Sequence, residues 1–497
     1  MKISINPINQ KNYQLPKDFD DSDGINNFLS KHSNKKVIVV QGLGFVGSVM
    51  SLVCANSISE EYAVIGIDLP DEKNFWKIAS LNDGIFPLIA DDPKIDEFFQ
   101  ESKIKENFYA TYDPLAYSFA DVIVVDINLD VQKVSSKDNS LKEFDVNLEG
   151  FKKAISTIGE HCNENTLILV ETTVPPGTCS NLIKPILDEK FNERGISKDK
   201  YFLGHSYERV MPGPDYVNSI RCYPRVYSGI DQKSADSVES FLKTIIDTNN
   251  CELTRLHHTN ATEIAKVLEN SYRATNIAFV VEWSRFAEEA GVDLYSIVNA
   301  IRVRETHSNL MYPGIGVGGY CLTKDPLLAS WSRKHFFNSK AGLNMSTNSV
   351  STNDQMPIFA FNRLVEVFGD VEDKKLLFLG VSYRGDVGDT RFSPVETFFS
   401  LAKKSGAIIT LHDPFVSFWE EHNCDVNNAL KDTLDSDPDI IVITTGHSLY
   451  KNKTTISSLM NIKSTKIFDT LGVFDKNQIK EIKTKHTLSI LGRGDIN

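Results

Sequence analysis

Residues 313–326 read Pro-Gly-Ile-Gly-Val-Gly-Gly-Tyr-Cys-Leu-Thr-Lys-Asp-Pro, which brings a thiol, a cation and an acid together behind a run of glycines. Gly314, Gly316, Gly318 and Gly319 suit a loop whose backbone must turn sharply or approach a ligand closely. Cys321 after such a loop, with Lys324 beside it and Asp325 following, is a candidate nucleophile, because a nearby cation favours the thiolate. A glycine-rich surface turn with an incidental cysteine is the other reading. This stretch alone leaves both open.

Three further groupings have the types to act on a ligand. Glu171-Thr-Thr173-Val-Pro-Pro-Gly177 closes an apolar run at the strand end where open α/β sheets hold ligand-binding groups. Glu208 and Arg209 put an acid and a base just before Met211-Pro212-Gly213. Lys266 and Asn270, four residues apart, share one face of a helix. Turn chemistry accounts equally for the first two, and a solvated helix face for the third.

The elements that position these groups alternate between strand and helix. Lys36–Gln41 is a short β-branched run, as expected of a buried parallel strand. It leads into Gly42-Leu-Gly44-Phe45-Val46-Gly47 and a helical pattern over 48–55. Glycines at that spacing bring a pyrophosphate to a helix N-terminus. About 20 residues on, a second strand ends in Asp68, the acid that ribose recognition requires and that repels the 2′-phosphate of NADP. The combined spacing selects NAD binding over a simple turn. Apolar runs at 121–125 and 166–170 alternate with helical stretches such as 148–158, predicting a parallel doubly wound sheet. A long helix is predicted over 259–290. Thr259 and Asn260 are its expected caps, Glu263 lies in its first turn and Gly291 ends it. Its apolar positions are Ile264, Val267, Leu268, Ile277, Ala278, Val281 and Phe286. At about 45 Å it is long enough to join two domains and to pair with its mate in another subunit. Further strands at 374–381, 407–411 and 439–444, with a helix over 394–404, form a second α/β unit. That unit lacks a GxGxxG, so it is expected to grip a substrate and not a second dinucleotide.

The fold class expected is α/β, with two Rossmann-like doubly wound domains joined by a long central helix. The expected divisions are an N-terminal extension (1–35), an NAD-binding domain (36–245), a central helical dimerisation domain with the cysteine loop (246–360) and a C-terminal Rossmann-like domain (361–497). A chain of 497 residues agrees with several cores. The net charge of −13 argues against a nucleic-acid surface. No apolar run reaches a membrane span and the first residues lack a signal-peptide core. Seven unclustered cysteines point to a reducing cytoplasm. No metal site is expected, and His257-His258 reads as a solvated pair.

Taken together, Gly42-x-Gly44-x-x-Gly47, Thr173-Val-Pro-Pro-Gly, Glu208-Arg-Val-x-Pro-Gly, Lys266-x-x-x-Asn270, Gly318-Gly-Tyr-Cys321-x-x-Lys-Asp325 and Asp389-Thr-Arg391 resemble the UDP-glucose/GDP-mannose dehydrogenase superfamily, the nucleotide-sugar 6-dehydrogenases. The resemblance runs from about residue 37 onward. The Glu208 motif resembles the branch acting on UDP-N-acetylmannosamine or UDP-N-acetylglucosamine. The resemblance implies that two NAD molecules in turn oxidise the sugar C6 hydroxyl through a thiohemiacetal and a thioester on Cys321, for surface polysaccharide. It gives catalytic roles to Cys321, Lys266, Asn270, Asp325, Thr173 and Glu208. Gly42, Gly44, Phe45, Val46, Gly47, Asp68, Thr173, Lys324 and Arg391 would contact NAD. The UDP-sugar would meet Glu208, Arg209, Val210, Lys266, Asn270, Gly318, Gly319 and Arg384. It also implies a homodimer through the 259–290 helix. Three departures bear on the sugar: Ile127-Asn-Leu-Asp130 replaces a Val-Pro-Thr-Pro, His307 (with Arg302 and Arg304 nearby) stands where the branch has an arginine, and Tyr320 replaces a histidine. The competing readings are a UDP-glucose 6-dehydrogenase, a single-oxidation β-hydroxyacid-type dehydrogenase and a non-catalytic NAD-binding protein.

Overall fold

The computed structural model describes residues 2–88, 92–210 and 213–496. They form two compact units, neither continuous in sequence: Met1–Asp130, Val146–Val267 and Trp331–Ala341 make the first, and Val131–Asp145, Leu268–Ser330 and Gly342–Asn497 the second.

The first unit is built on an eight-stranded sheet. Its spatial order is Leu253–Arg255, Arg225–Gly229, Phe202–Tyr207, Leu167–Val170, Val122–Val125, Lys36–Gln41, Tyr62–Ile67 and Phe108–Thr111. The four strands expected from apolar runs lie side by side and parallel. One step departs from a purely parallel sheet: Phe202–Tyr207 and Arg225–Gly229 run antiparallel. Among the described residues of the connection between them, the helix present is the short Tyr216–Arg221. Ile38, Val40, Leu43, Val49, Met50, Leu52 and Val53 are completely buried in one core, each stabilising by roughly 1.5–3 kcal/mol. That packing fixes the Phe45–Ala55 helix against the first strand and so sets the glycine turn between them. Residues 3–30 form a hairpin, Ile3–Ile5 with Asn12–Gln14, and a helix, Ser22–Ser30. Ser4 donates to the Glu72 carbonyl (2.8 Å) and Asn6 to the Ser80 hydroxyl (3.0 Å), which docks this arm on the first unit.

The second unit has a five-stranded parallel sheet in the order Ile408–His412, Lys375–Leu379, Ile440–Ile443, Lys466–Asp469, Thr487–Ile490. It also holds a hairpin, Val131–Ser135 with Leu141–Val146, from the first third of the chain. Lys133 pairs with Asp354 at 2.7 Å and the Leu141 N–H donates to Ser351 Oγ, both partners lying on the Asn344–Phe368 helix.

The central helix runs Thr259–Glu289, and Gly291 follows in the left-handed region (φ 69°), as helix ends favour. Its start differs from expectation. Thr259 already lies inside the helix, and the Asn260 N–H donates to His258 Nδ1 at 3.1 Å, so the half-buried His258 caps it. Val267, Ala278 and Val281 are buried, whereas Ile264, Leu268 and Phe286 are exposed beside Tyr272, Phe279 and Trp283. The helix therefore has an apolar face turned to solvent as well as one in the core.

Candidate active site

In the thiol loop, Gly316 and Gly319 take positive φ (127° and 82°), which glycine adopts without strain. A Cβ on Gly318 would lie 2.4 Å from Tyr383 Cβ, and the Gly319 N–H donates to the Arg391 carbonyl at 3.1 Å. The loop is thus clamped on the 383–392 turn. No disulfide joins the seven cysteines, and Cys321 alone among them is exposed. Burial pushes the thiols of Cys54, Cys162 and Cys179 upward, away from thiolate chemistry. Asp325 opens the Asp325–His335 helix, its N–H donating to the Cys321 carbonyl at 2.9 Å. It is fully buried and accepts from Asn270 Nδ2 (2.6 Å) and Lys324 Nζ (2.8 Å). The Lys324 ammonium, expected beside the thiol, is therefore bound to Asp325, and it lies 4.5 Å from the Tyr320 ring centroid. Asn270 and Lys266 are both buried, which rules out a solvated face for this pair.

In the first unit, Lys266 Nζ donates to the Glu208 carbonyl at 2.7 Å and sits 3.7 Å from Glu208 Oε1. The Glu208 carboxylate accepts the Val210 N–H, and Arg209 donates to the Pro224 carbonyl at 2.9 Å. Met211 and Pro212 lie outside the described residues. Thr173 sits in the turn after Leu167–Val170. The N–H groups of Gly177 and Cys179 in that turn donate to the carboxylate of Glu263 (2.6 and 2.8 Å). Glu263 is not a first-turn capping acid of its own helix. It is buried one turn before Lys266 and ties the Thr173 turn to the helix that carries the lysine.

Burial pushes Glu263 up to about 7, against the bonds from Cys179 and Gly177. The native state then keeps a proton that the unfolded chain, near 4.5, has lost, so this group's stabilisation disappears as pH rises through 7. His205, drawn down to about 3 by burial, acts in the opposite sense, but only below about 6.5. Glu263→Gln is expected to flatten the decline in stability between pH 6.5 and 8 by roughly 1 kcal/mol in urea unfolding. An unchanged slope would remove Glu263 from this role.

The Gly42–Gly47 turn fits a dinucleotide. Gly42 has φ 96° and a Cβ there would lie 2.4 Å from the Asp126 carbonyl oxygen. A Cβ on Gly47 would lie 1.8 Å from the Gly42 carbonyl oxygen, whereas one on Gly44 would meet nothing within 4 Å. Gly44 is the N-cap of Phe45–Ala55 and no side chain caps that helix, so a phosphate can approach its N-terminus. Asp68, just past Tyr62–Ile67, accepts from the Leu43 N–H and Lys77 Nζ (both 3.1 Å) at the adjoining strand end.

Beneath this turn lies a carboxyl cluster that the motifs do not reveal. Asp126 and Glu171 follow strands paired Val125 to Val170, and Glu171 meets the buried Arg225 at 3.3 Å. Burial raises Asp126 strongly, with the Glu171 and Glu208 charges adding to it. Burial raises Glu171 to about 7 against the pull of Arg225. The available signal was an acid directly after each all-apolar strand.

In the second unit, Arg391 forks onto Asp389 (2.9 and 2.6 Å), while Arg384 is exposed on the turn between Ser382 and Asp386. His307 is exposed in the Glu305–His307 turn, and Arg302 donates to the Leu310 carbonyl. Ile127 contributes its carbonyl to Thr172 Oγ1 (2.6 Å), and Leu129 is buried. No group of acids, histidines and cysteines among the described residues could hold a metal ion.

Residues 36–246, 260–354 and 377–476 match, in order, the models for the NAD binding, central and UDP binding domains of the UDP-glucose/GDP-mannose dehydrogenase family. The UDP-N-acetyl-D-mannosamine dehydrogenase of Pyrococcus horikoshii is 28% identical, over 92% of this chain and 100% of that protein. The solved structure of the UDP-D-ManNAc dehydrogenase from that organism superposes with a TM-score of 0.75 at 26% identity, covering 92% of this chain and 100% of its own. The fold is shared with an NDP-N-acetyl-D-galactosaminuronic acid dehydrogenase from Methanosarcina mazei Go1, at TM-score 0.74, 24% identity and coverages of 95% and 98%.

Proposed function

Because the chain belongs to the UDP-glucose/GDP-mannose dehydrogenase family, we propose that it oxidises the C6 hydroxyl of UDP-N-acetylmannosamine or UDP-N-acetylglucosamine to the uronic acid. It is an NAD-dependent oxidoreductase of that family, and relatives named UDP-N-acetyl-D-mannosamine dehydrogenase support the N-acetylhexosamine reading. The observation that carries the mechanism is Cys321: an exposed thiol one helical turn before a buried Asp325 that holds Asn270 and Lys324.

Gly42, Gly44, Phe45, Val46, Gly47, Asp68, Thr173, Lys324 and Arg391 are the residues we assign to NAD, which supplies the acceptor for a hydride from C6 in each of two oxidations. The chain's own groups do the rest. Cys321 adds through Sγ to the C6 aldehyde, and the carbonyl oxygen takes up the negative charge. Lys266 and Asn270, one turn apart on one helix, donate to that oxyanion. Such donors contribute typically ~10²–10³ in rate. A water held by Thr173 and Asp325 takes the C6 hydroxyl proton in the first oxidation, and a water positioned by Asp325 and Glu208 hydrolyses the thioester, releasing the carboxylate and the thiolate. Covalent capture also stops the aldehyde escaping between oxidations. Arg384 and Arg209 take the UDP end as planar donors, with Val210, Gly318 and Gly319 lining the sugar.

The proposal includes a homodimer across Leu268, Tyr272, Phe279, Trp283 and Phe286, a run of large side chains each about half exposed on one helix. A second copy is the expected occupant, since burying this face against its mate removes an apolar stripe from water. Sedimentation is expected to give twice the 55.7 kDa chain mass; a monomer at micromolar concentration would count against it. A cytoplasmic location is supported by seven cysteines that form no disulfide, and surface polysaccharide is the expected use of the product.

The test is the NADH yield per sugar nucleotide, with limiting UDP-N-acetylmannosamine, UDP-N-acetylglucosamine or UDP-glucose and excess NAD. Two NADH per molecule of an N-acetylhexosamine nucleotide is the expected result. Two from UDP-glucose alone would move the specificity, and one per sugar would replace the two-step mechanism by a single oxidation.

A further inference from the structure

A buried acid–histidine pair lies under the Arg384 turn of the second unit and takes no part in the reaction as described. Asp413, just past the Ile408–His412 strand, is completely buried. Its Oδ2 accepts from the Val381 N–H (2.9 Å), the Ser382 N–H (3.1 Å), the Ser382 hydroxyl (3.0 Å) and His447 Nε2 (3.1 Å). Its Oδ1 accepts the Phe415 N–H at 2.9 Å. Burial would raise this carboxyl, yet His447 and the N–H donors hold it below its ordinary value.

His447 is equally buried, and its Nδ1 accepts the Asp386 N–H at 2.8 Å. A backbone N–H can only donate, so Nδ1 carries the lone pair and the ring proton sits on Nε2, facing Asp413. The imidazole therefore links a fixed carboxylate to the turn. Asp386 is held in the left-handed region (φ 59°), which non-glycine residues seldom adopt without outside support. Its carboxylate accepts from the Ser448 N–H (2.8 Å) and hydroxyl (2.6 Å). A Cβ on Gly385 would lie 2.4 Å from the Gly446 carbonyl oxygen, so this side of the turn is closed against Gly446-His447. Arg384 is the exposed residue between these two anchored ends.

We infer that Asp413 and His447 are positioning residues, which hold the 382–386 turn in the form that presents Arg384 to the diphosphate of the substrate. The inference rests on the assignment of Arg384 to the UDP end. A turn ordered before binding spares the ligand the entropic cost of ordering it, and affinity rises accordingly. The tautomer matters because only an acceptor at the Nδ1 position can hold the Asp386 N–H.

Two substitutions separate the two ring nitrogens. His447→Asn retains an acceptor near Nδ1, and His447→Gln retains a donor near Nε2. Calorimetric titration of the full chain with UDP is expected to give an affinity within about threefold of the parent for His447→Asn and at least about tenfold weaker for His447→Gln, a loss of about 1.4 kcal/mol. NAD affinity is expected to stay unchanged in both. Equal UDP affinity in His447→Gln, or equal loss in both variants, would overturn the inference. Should His447→Gln not fold, Ser448→Ala tests the same turn from its exposed side, with two- to threefold weaker UDP binding expected and no change counting against the inference. If the parent chain binds no UDP, the assignment of Arg384 fails first and this inference falls with it.

Discussion

Cys321→Ser is expected to cut uronic acid formation by at least ~10³-fold while leaving NAD affinity within twofold. A serine hydroxyl is ionised far less than a thiol, so capture of the aldehyde is weak and the ester that follows is a poorer substrate for hydrolysis than a thioester. The clamp of Gly318 and Gly319 on Tyr383 and Arg391 does not involve the sulfur, so the loop should keep its shape. Stoichiometry is the sharper readout: NADH per sugar should fall from two towards one, with aldehyde trapped by a hydrazine. A variant that still makes two NADH at the parent rate would rule out the covalent route.

The second large effect is expected at Asp325. Asp325→Asn leaves the volume but removes the charge that faces the buried Lys324 ammonium, and it sets an amide N–H₂ against the donors of Asn270 and Lys324. Breaking one side of a buried ion pair costs about 3–5 kcal/mol, since the remaining charge has no water to replace its partner. Urea unfolding at pH 7.5 should show that loss, and kcat should fall by ~10² or more because Asn270 loses its anchor. Lys324→Met added to Asp325→Asn should recover much of the stability and none of the activity. A single variant within about 1 kcal/mol of the parent would mean that water reaches this pair after all.

What the sequence carried was local. The strand Lys36–Gln41 and the helix Pro394–Lys404 have the bounds their apolar spacing predicts, and Gly42, Gly316 and Gly319 take the positive φ that favours glycine. What it did not carry depends on partners far along the chain. Glu263 finds its donors 86 and 84 residues away, and His447 meets Asp413 across 34. Spacing along one helix does not distinguish an acid that caps its own first turn from one that caps another segment. The same limit hid the outward face of the central helix, since Leu268 and Val267 are equally apolar and only the packing decides which is covered. Arg225 escaped notice because a lone arginine in a strand has meaning only beside Asp126 and Glu171.

Neither unit is one continuous stretch of the chain that the ribosome delivers. The first unit needs Trp331–Ala341, whose Ser332 hydroxyl donates to the Pro176 carbonyl, and the second needs the Val131–Asp145 hairpin that emerged long before its own strands. At ~5–20 residues per second, residue 341 follows residue 267 by roughly 4–15 s. For that interval the nascent Pro176–Cys179 turn stands without its seal, and the early hairpin waits for the Asn344–Phe368 helix. A chaperone that holds the chain over this window, or a slow codon run after residue 341, would act on yield without touching a single residue of the active site.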